Sequence, residues 1–293
     1  MLEFLEENKD IRHLSGFKTP AKTKYYFEIN NLDDVDKLVD IVNFCRQENL
    51  SYKILGAGTN ILFAFDEYNG VIIKNNLSGY NYDENNKILE AYSNEMISYL
   101  AEIVEEKYDN KVWHRFIGLP GSVGGAVFGN AGCFGLEAEN NFLSALVLDL
   151  ESGQRLELSR QEMFFEYRNS KPKKTGKYFI ISVKFDLSKV EEKYSSQVDN
   201  IEFRENKQPK GFCCGSFFKN PQGDSAGRLI DAVGLKGYKL GGAFFSEKHG
   251  NFLMSDGNAT FKDLLDLMKL AQNKVKKEYQ IDLVNEVQIL KNN

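Results

Sequence analysis

Histidine and paired cysteine are nearly absent from this sequence. Three histidines occur in 293 residues, and the four cysteines, Cys45, Cys133, Cys213 and Cys214, form no C-x-x-C pair. That removes the usual ligand sets of a zinc site, and no metal centre is expected. Long apolar runs are missing too, since no window reaches the roughly 18 residues that a membrane span requires. The opening MLEFLEENKD is acidic and lacks the basic-then-apolar order of a secretory signal. There is no excess of basic charge: 37 Lys and Arg against 42 Asp and Glu give a net charge of −5. A nucleic-acid binder would carry a basic face, so that class is set aside, although one cleft can still be locally basic for a small anion. A reduced, cytoplasmic chain with no membrane or nucleic-acid partner is the expectation.

What is present is ordinary in bulk and uneven in detail. Hydrophobic content of 42% and charged content of 27% suit a soluble globular protein, and 293 residues suffice for two or three cores. Tyr25 to Ile29 is short and β-prone. From Leu32 to Glu48, Leu32, Val35, Leu38, Val39, Val42 and Cys45 recur at helical spacing, with Asp33 and Asp34 in the first turn. Ser51 to Leu55 reads as a strand running into Gly56-Ala57-Gly58-Thr59-Asn60, and Gly70 to Lys74 as another. A helix is expected over 94–107. Strands follow at 145–149, 154–158 and 178–186, the first two joined by a turn at Glu151-Ser152-Gly153. A polar helix-like connector spans 190–206. Beyond it come a strand at 214–219, helices at 226–233 and 261–277, and a closing strand at 284–290. The pattern is α+β, with a boundary near 190–205.

Glycine concentrates in two places, seven residues between 118 and 135 and ten between 211 and 257. Gly118-Leu119-Pro120-Gly121-Ser122-Val123-Gly124-Gly125 has few side chains to pack, and its N–H groups could cradle a diphosphate at a helix start. Tight turns explain the glycines equally well. The 56–60 loop begins like G-x-G-x-x-G, but Ile61 stands where the third glycine belongs, and no glycine run leads into Gly-Lys-Ser/Thr.

Three polar residues invite chemical readings. Arg168, after the aromatic run 164–167, could grip a carboxylate through two parallel hydrogen bonds, or form a surface ion pair. Ser216, between Gly215 and two phenylalanines, could donate a proton, with Lys219 near enough to steady an alkoxide; a structural serine is the plainer alternative. Glu286 interrupts the apolar closing strand, which an edge strand also explains. His249 lies in a polar loop suited to a sugar or phosphate, whereas His13 and His114 read as ordinary loop residues. A serine hydrolase is disfavoured because no G-x-S-x-G elbow exists.

In order along the chain, GAGTN at 56–60, GLPGSVGGAVFGNAGCFG at 118–135, YRNS at 167–170, CGSFFKNP at 214–221, AGRLIDAVGLKG at 226–237, GGAFFSEKHGNF at 241–252 and Asn285-Glu286-Val287 resemble the UDP-N-acetylenolpyruvoylglucosamine reductase family, from about residue 15 to the end. The first two segments are shared with FAD enzymes related to vanillyl-alcohol oxidase. The resemblance implies a two-subdomain FAD-binding region of that type, residues 1–75 and 76–195, and a C-terminal α+β substrate domain at 196–293 whose last strand returns to the active site. It implies FAD and NADPH as cofactors, a UDP-sugar substrate and a monomer. FAD would lie against Gly56, Ala57, Gly58, Thr59, Asn60, Gly118, Pro120, Gly121, Ser122, Gly124 and Gly125, with Asn130, Ala131 and Gly132 near the isoalloxazine. Arg168, Ser216 and Glu286 would be catalytic, Glu286 holding or sharing a proton. Tyr167, Lys219, Asn220 and His249 would meet substrate.

The chain departs from the family at Phe17-Lys18-Thr19-Pro20-Ala21, where a Gly-Gly pair is usual, and at Gly129, where a bulkier residue is common. The short interval from Arg168 to Ser216 points to the subclass without an extra tyrosine-bearing loop. Two rivals stand beside this reading. One is an oxidase of the same FAD superfamily, many of which attach flavin through a histidine absent from both loops here. The other is a non-catalytic nucleotide sensor on the same fold.

Overall fold

The computed structural model describes residues 2–189 and 200–292. The chain forms two compact units, each assembled from separate stretches. One takes in residues 1–6, 26–57 and 70–202, and the other residues 7–25, 58–69 and 203–293. The division passes through the glycine loop, leaving Gly56 and Ala57 in the first unit and Gly58, Thr59 and Asn60 in the second.

In the first unit, Ser51–Leu55 pairs in parallel with the adjoining strand in register from Ser51↔Gly70 to Leu55↔Lys74. Parallel neighbours need a crossover, and the Leu32–Gln47 helix is positioned in sequence to supply one. Asn31 caps it by accepting from the N–H groups of Asp33 and Asp34. Val35, Leu38, Ile41, Val42 and Cys45 make its buried stripe, but Leu32, expected on that stripe, is 38% exposed because it sits at the first turn. A second, five-stranded sheet has the order Arg155–Ser159, Phe142–Asp149, Tyr178–Asp186, Ile88–Tyr92, Tyr80–Asp83. Its neighbours run antiparallel. The Ile97–Tyr108 helix buries Ile97, Leu100, Ala101 and Val104 in the same core, where Trp113 meets Phe116 and Phe185 edge to face.

The second unit centres on an antiparallel sheet ordered Phe212–Ser216, Phe252–Ser255, Ala243–Phe245, Lys239–Leu240. The helices Ala226–Ala232 and Phe261–Tyr279 share its core through Leu229, Ile230, Leu264 and Leu267. Thr260 and Asp263 close a reciprocal capping box at the start of the long helix.

Three expectations change in detail. The strand expected at 214–219 spans Phe212–Ser216 instead. Its register slips between Cys213 and Ser216, where Gly215 has φ +71°. The closing strand is shorter than expected: only Gln288–Leu290 forms a ladder, parallel to Ile61–Phe63. Residues ahead of it spend their backbone groups on Phe217 and Lys219 instead. Of the connector expected at 190–206, residues 190–199 lie outside the described residues, and Asn200–Lys207 is helical.

Burial pushes the thiols of Cys45 and Cys214 up, to about 11 and about 12. A thiol with a pKa of 11 is ionised to roughly one part in a thousand at pH 8. Native protein at that pH should therefore protect both from an aromatic disulfide reagent, and all four cysteines should react once it is unfolded. Rapid native labelling at Cys45 or Cys214, located by peptide mapping, would contradict this packing.

Candidate functional site

Two glycine-bearing loops meet in the first unit. A Cβ built on Gly56 would fall 2.5 Å from Ser122 Oγ, so the loops touch with no room for a side chain at 56. Ser122 caps the Val123–Gly129 helix by accepting from Gly125 N–H. The glycine run thus contains a short helix, and the sequence pattern had not marked its extent. Ile97 N–H donates to Gly121 O and Val123 N–H to Glu95 O, which pins the loop on either side of Ser122. The N–H groups of Gly121 and Ser122 have no acceptor among the described residues. Gly118 adopts φ +78° and donates to Ser98 Oγ at 2.6 Å, beside Pro120. The loop pair therefore offers bare backbone and unpartnered donors with no acidic side chain between Gly118 and Gly125. This fits a diphosphate.

The same helix ends at Asn130, which is fully buried with φ 42° in the left-handed region. Its amide reaches Glu139 Oε1 at 3.1 Å and Glu166 O at 3.2 Å, while its Oδ1 accepts from Glu139 N–H. Ala131 is tied down as donor to Ala126 O and acceptor from Ala138 N–H. Arg168 then closes the arrangement. Its Nη1 donates to Asn130 O at 3.3 Å and its Nη2 to Gly132 O at 3.0 Å. Glu137 Oε1 stands 3.4 Å from Nη1. The surface ion pair weighed for Arg168 is only part of its environment, because its side chain is 17% exposed and braces a buried turn. Arg168 itself has φ +57°, an uncommon conformation for a long side chain, fixed by the Glu166↔Asn169 bridge and by Lys173 Nζ on its carbonyl. The Tyr167 ring, 52% exposed, lies 4.8 Å from the guanidinium carbon.

The second unit gathers the other candidates. Glu286 N–H donates to Phe217 O at 2.8 Å, and Lys219 N–H to Val284 O at 2.8 Å. This antiparallel contact places Glu286 on backbone adjoining Ser216, seventy residues away in sequence. Asn60 Nδ2 donates to Glu286 O, and Gln288 N–H to Asn60 O, so Asn60 braces that segment. Ser216 ends its strand just past the Gly215 bulge, half-buried, and its hydroxyl has no hydrogen-bond partner among the described residues. Lys219 forms no ion pair among the described residues. Asn220 Oδ1 accepts from Ala226 N–H at 3.1 Å, at the start of the Ala226–Ala232 helix. His249 packs on Phe252, and burial holds its imidazole below the usual range. Its Nδ1 accepts from Asn251 N–H, which leaves the proton on Nε2.

Gly58 and Thr59 fall in the second unit, where Gly58 O accepts from Gly16 N–H at 3.0 Å. Glu137 escaped the sequence reading. An acidic residue two positions past a glycine carries no distinctive pattern, and only folding brings it to Arg168. Among the described residues no group of His, Cys, Asp and Glu has metal-site geometry. No helix among them is long and apolar enough to cross a membrane.

Known proteins resemble this chain along nearly its whole length. A family model described as the C-terminal domain of UDP-N-acetylenolpyruvoylglucosamine reductase matches residues 208–290, and one for an FAD binding domain matches residues 30–159. UDP-N-acetylenolpyruvoylglucosamine reductase of Chlamydia muridarum is 36% identical, covering 98% of this chain and 94% of that protein. The enzyme of that name from Clostridium kluyveri is also 36% identical, covering 98% and 96%. The crystal structure of the Thermus caldophilus reductase superposes with a TM-score of 0.74 at 25% identity, covering 98% of this chain and all of that one. The α+β class and the FAD-binding region expected from sequence are borne out. With relatives this similar along nearly its whole length, the chain belongs to the UDP-N-acetylenolpyruvoylglucosamine reductase family.

Proposed function

We propose that the protein reduces UDP-N-acetylglucosamine enolpyruvate to UDP-N-acetylmuramate with NADPH, through bound FAD, in peptidoglycan precursor synthesis. The observation that most supports this reading is the backbone contact that joins Glu286 N–H to the carbonyl of Phe217, the residue after Ser216. FAD, when bound, supplies the two-electron hydride chemistry that no side chain provides. Gly56, Ala57, Gly58, Thr59, Asn60 and the 118–125 loop are the groups assigned to hold it, with Asn130, Ala131 and Gly132 at its ring system.

The reduction adds hydride to the methylene carbon of an enol ether conjugated with a carboxylate, and negative charge builds on that carboxylate. Arg168 meets the charge with fixed donors, and Glu286 is assigned with it to polarise the carboxylate and stabilise the enolic intermediate. Ser216 gives its proton to the carbon next to the carboxylate, completing the saturated lactyl ether. Lys219 and Asn220 contact the substrate diphosphate, with His249 and Tyr167 at its sugar and carboxylate ends.

The FAD region is assigned to residues 1–75 and 76–195 and substrate binding to 196–293, in line with the two matched family models. The working form is taken as a cytoplasmic monomer acting on a free UDP-sugar, of the subclass without the extra tyrosine loop. Purified protein should carry flavin absorbance that bleaches under anaerobic NADPH and returns when the enolpyruvyl UDP-sugar is added. Protein that takes up no flavin on reconstitution would favour the sensor. Bleaching without substrate-driven return would favour another flavin oxidoreductase.

A further inference from the structure

Arg168 has a partner that the catalytic assignment leaves unused. Glu137 lies on the two-residue strand Leu136–Glu137, paired with Gly132–Cys133 so that Gly132 stands opposite Glu137. A Cβ on Gly132 would be 2.7 Å from Glu137 Cγ, so the glutamate side chain lies directly over that glycine. From there its Oε1 reaches Arg168 Nη1 at 3.4 Å, while the carbonyls of Asn130 and Gly132 take Nη1 and Nη2. An arginine side chain carries much rotamer freedom, and here two carbonyls and one carboxylate remove it.

We infer that Glu137 is a positioning residue, which fixes the Arg168 guanidinium in the orientation that receives the substrate carboxylate. This rests on the proposed reduction. The carbonyls set the plane of the guanidinium, and the carboxylate offsets its charge and holds it against the 130–132 turn. Loss of that restraint misplaces donors aimed at a developing charge, and a shift of about 1 Å in such a group can cost on the order of 100-fold in rate. Glu137 also shares a capping box with Asn140, whose Oδ1 accepts from Glu137 N–H at 2.7 Å, so a purely structural role must be separated from positioning.

Three variants make that separation. Glu137→Ala removes the restraint together with its own half of the capping box, Glu137→Gln keeps an acceptor of the same reach without the charge, and Asn140→Ala removes the half made by Asn140 Oδ1. Flavin content and bleaching by NADPH should match wild type in all three. Reoxidation of reduced flavin by saturating substrate should slow about 100-fold in Glu137→Ala. Glu137→Gln should recover most of that loss, and its KM should not rise, because no anion competes with the substrate carboxylate. Asn140→Ala should behave as wild type. As a reading independent of turnover, the Arg168 guanidinium resonances in 15N spectra should broaden in Glu137→Ala and stay sharp in Asn140→Ala. Wild-type reoxidation in Glu137→Ala, or equal losses in Glu137→Ala and Asn140→Ala, overturns the inference. If substrate fails to reoxidise the wild-type flavin, the proposed reduction falls, and the guanidinium spectra still decide whether Glu137 orders Arg168.

Discussion

Replacing Ser216 with alanine should leave the bleaching of flavin by NADPH at its wild-type rate and slow reoxidation by substrate by about 10²- to 10⁴-fold. The asymmetry follows from where the proton is needed. Hydride leaving NADPH needs no proton from the protein, whereas the carbanion formed beside the substrate carboxylate must be protonated before product can leave. The Ser216 hydroxyl suits that role because it lacks a partner among the described residues and is only half-buried. An ordinary serine is a poor acid, so its surroundings must lower the barrier. The developing charge supplies part of the driving force. Stopped-flow traces of the two half-reactions measure the effect. Equal slowing of both, or no slowing of the second, would remove Ser216 from the mechanism.

Local elements are more legible in the sequence than the tertiary contacts around the candidate site. Ser51–Leu55 and Tyr178–Asp186 have the bounds expected from their β-prone composition, and the 32–47 helix differs from expectation by one residue. The strands Ala243–Phe245 and Phe252–Ser255 went unread because glycine and polar residues surround three or four apolar ones, too few for a period to register. The hairpin Tyr80–Asp83 with Ile88–Tyr92 was hidden by a polar connection. Arg168 stands out in the sequence, but neither its left-handed backbone, held by local contacts to Asn169 and Lys173, nor its grip on Asn130 and Gly132, more than thirty residues away, can be read there. Glu286 reads from sequence as part of a regular strand, whereas its N–H meets the carbonyl of Phe217 ahead of the short Gln288–Leu290 ladder. Sequence periodicity records local structure, and tertiary contacts decide the rest.

Gly58→Ala should be among the most damaging single-methyl additions in the protein. In the sequence, Gly58 reads as part of a weak phosphate loop, and its backbone and packing by themselves already require glycine. Its φ is +71°, and a Cβ there would stand 1.9 Å from the carbonyl oxygen of Leu14. That oxygen is main chain and cannot swing aside as a flexible side chain would. The segments on either side are also tethered: Gly58 O accepts from Gly16 N–H, and Ser15 Oγ donates to Ile61 O at 2.7 Å. Relief of the clash would break hydrogen bonds inside the second unit and disturb Asn60, which supports Glu286. Left-handed backbone costs alanine about 1–2 kcal/mol, and the displaced loop should bring the total to about 3–4 kcal/mol. In thermal unfolding that corresponds to a fall in Tm on the order of 10 °C. Gly129→Ala is the matched control. That glycine lies in a helix, and its added Cβ would meet nothing within 4 Å, so stability should hold or rise by about 0.5–1 kcal/mol. A Gly58→Ala protein that melts with wild type would mean that the 14–16 and 58–61 segments are not held against each other, and the bracing of Glu286 through Asn60 would lose its structural basis.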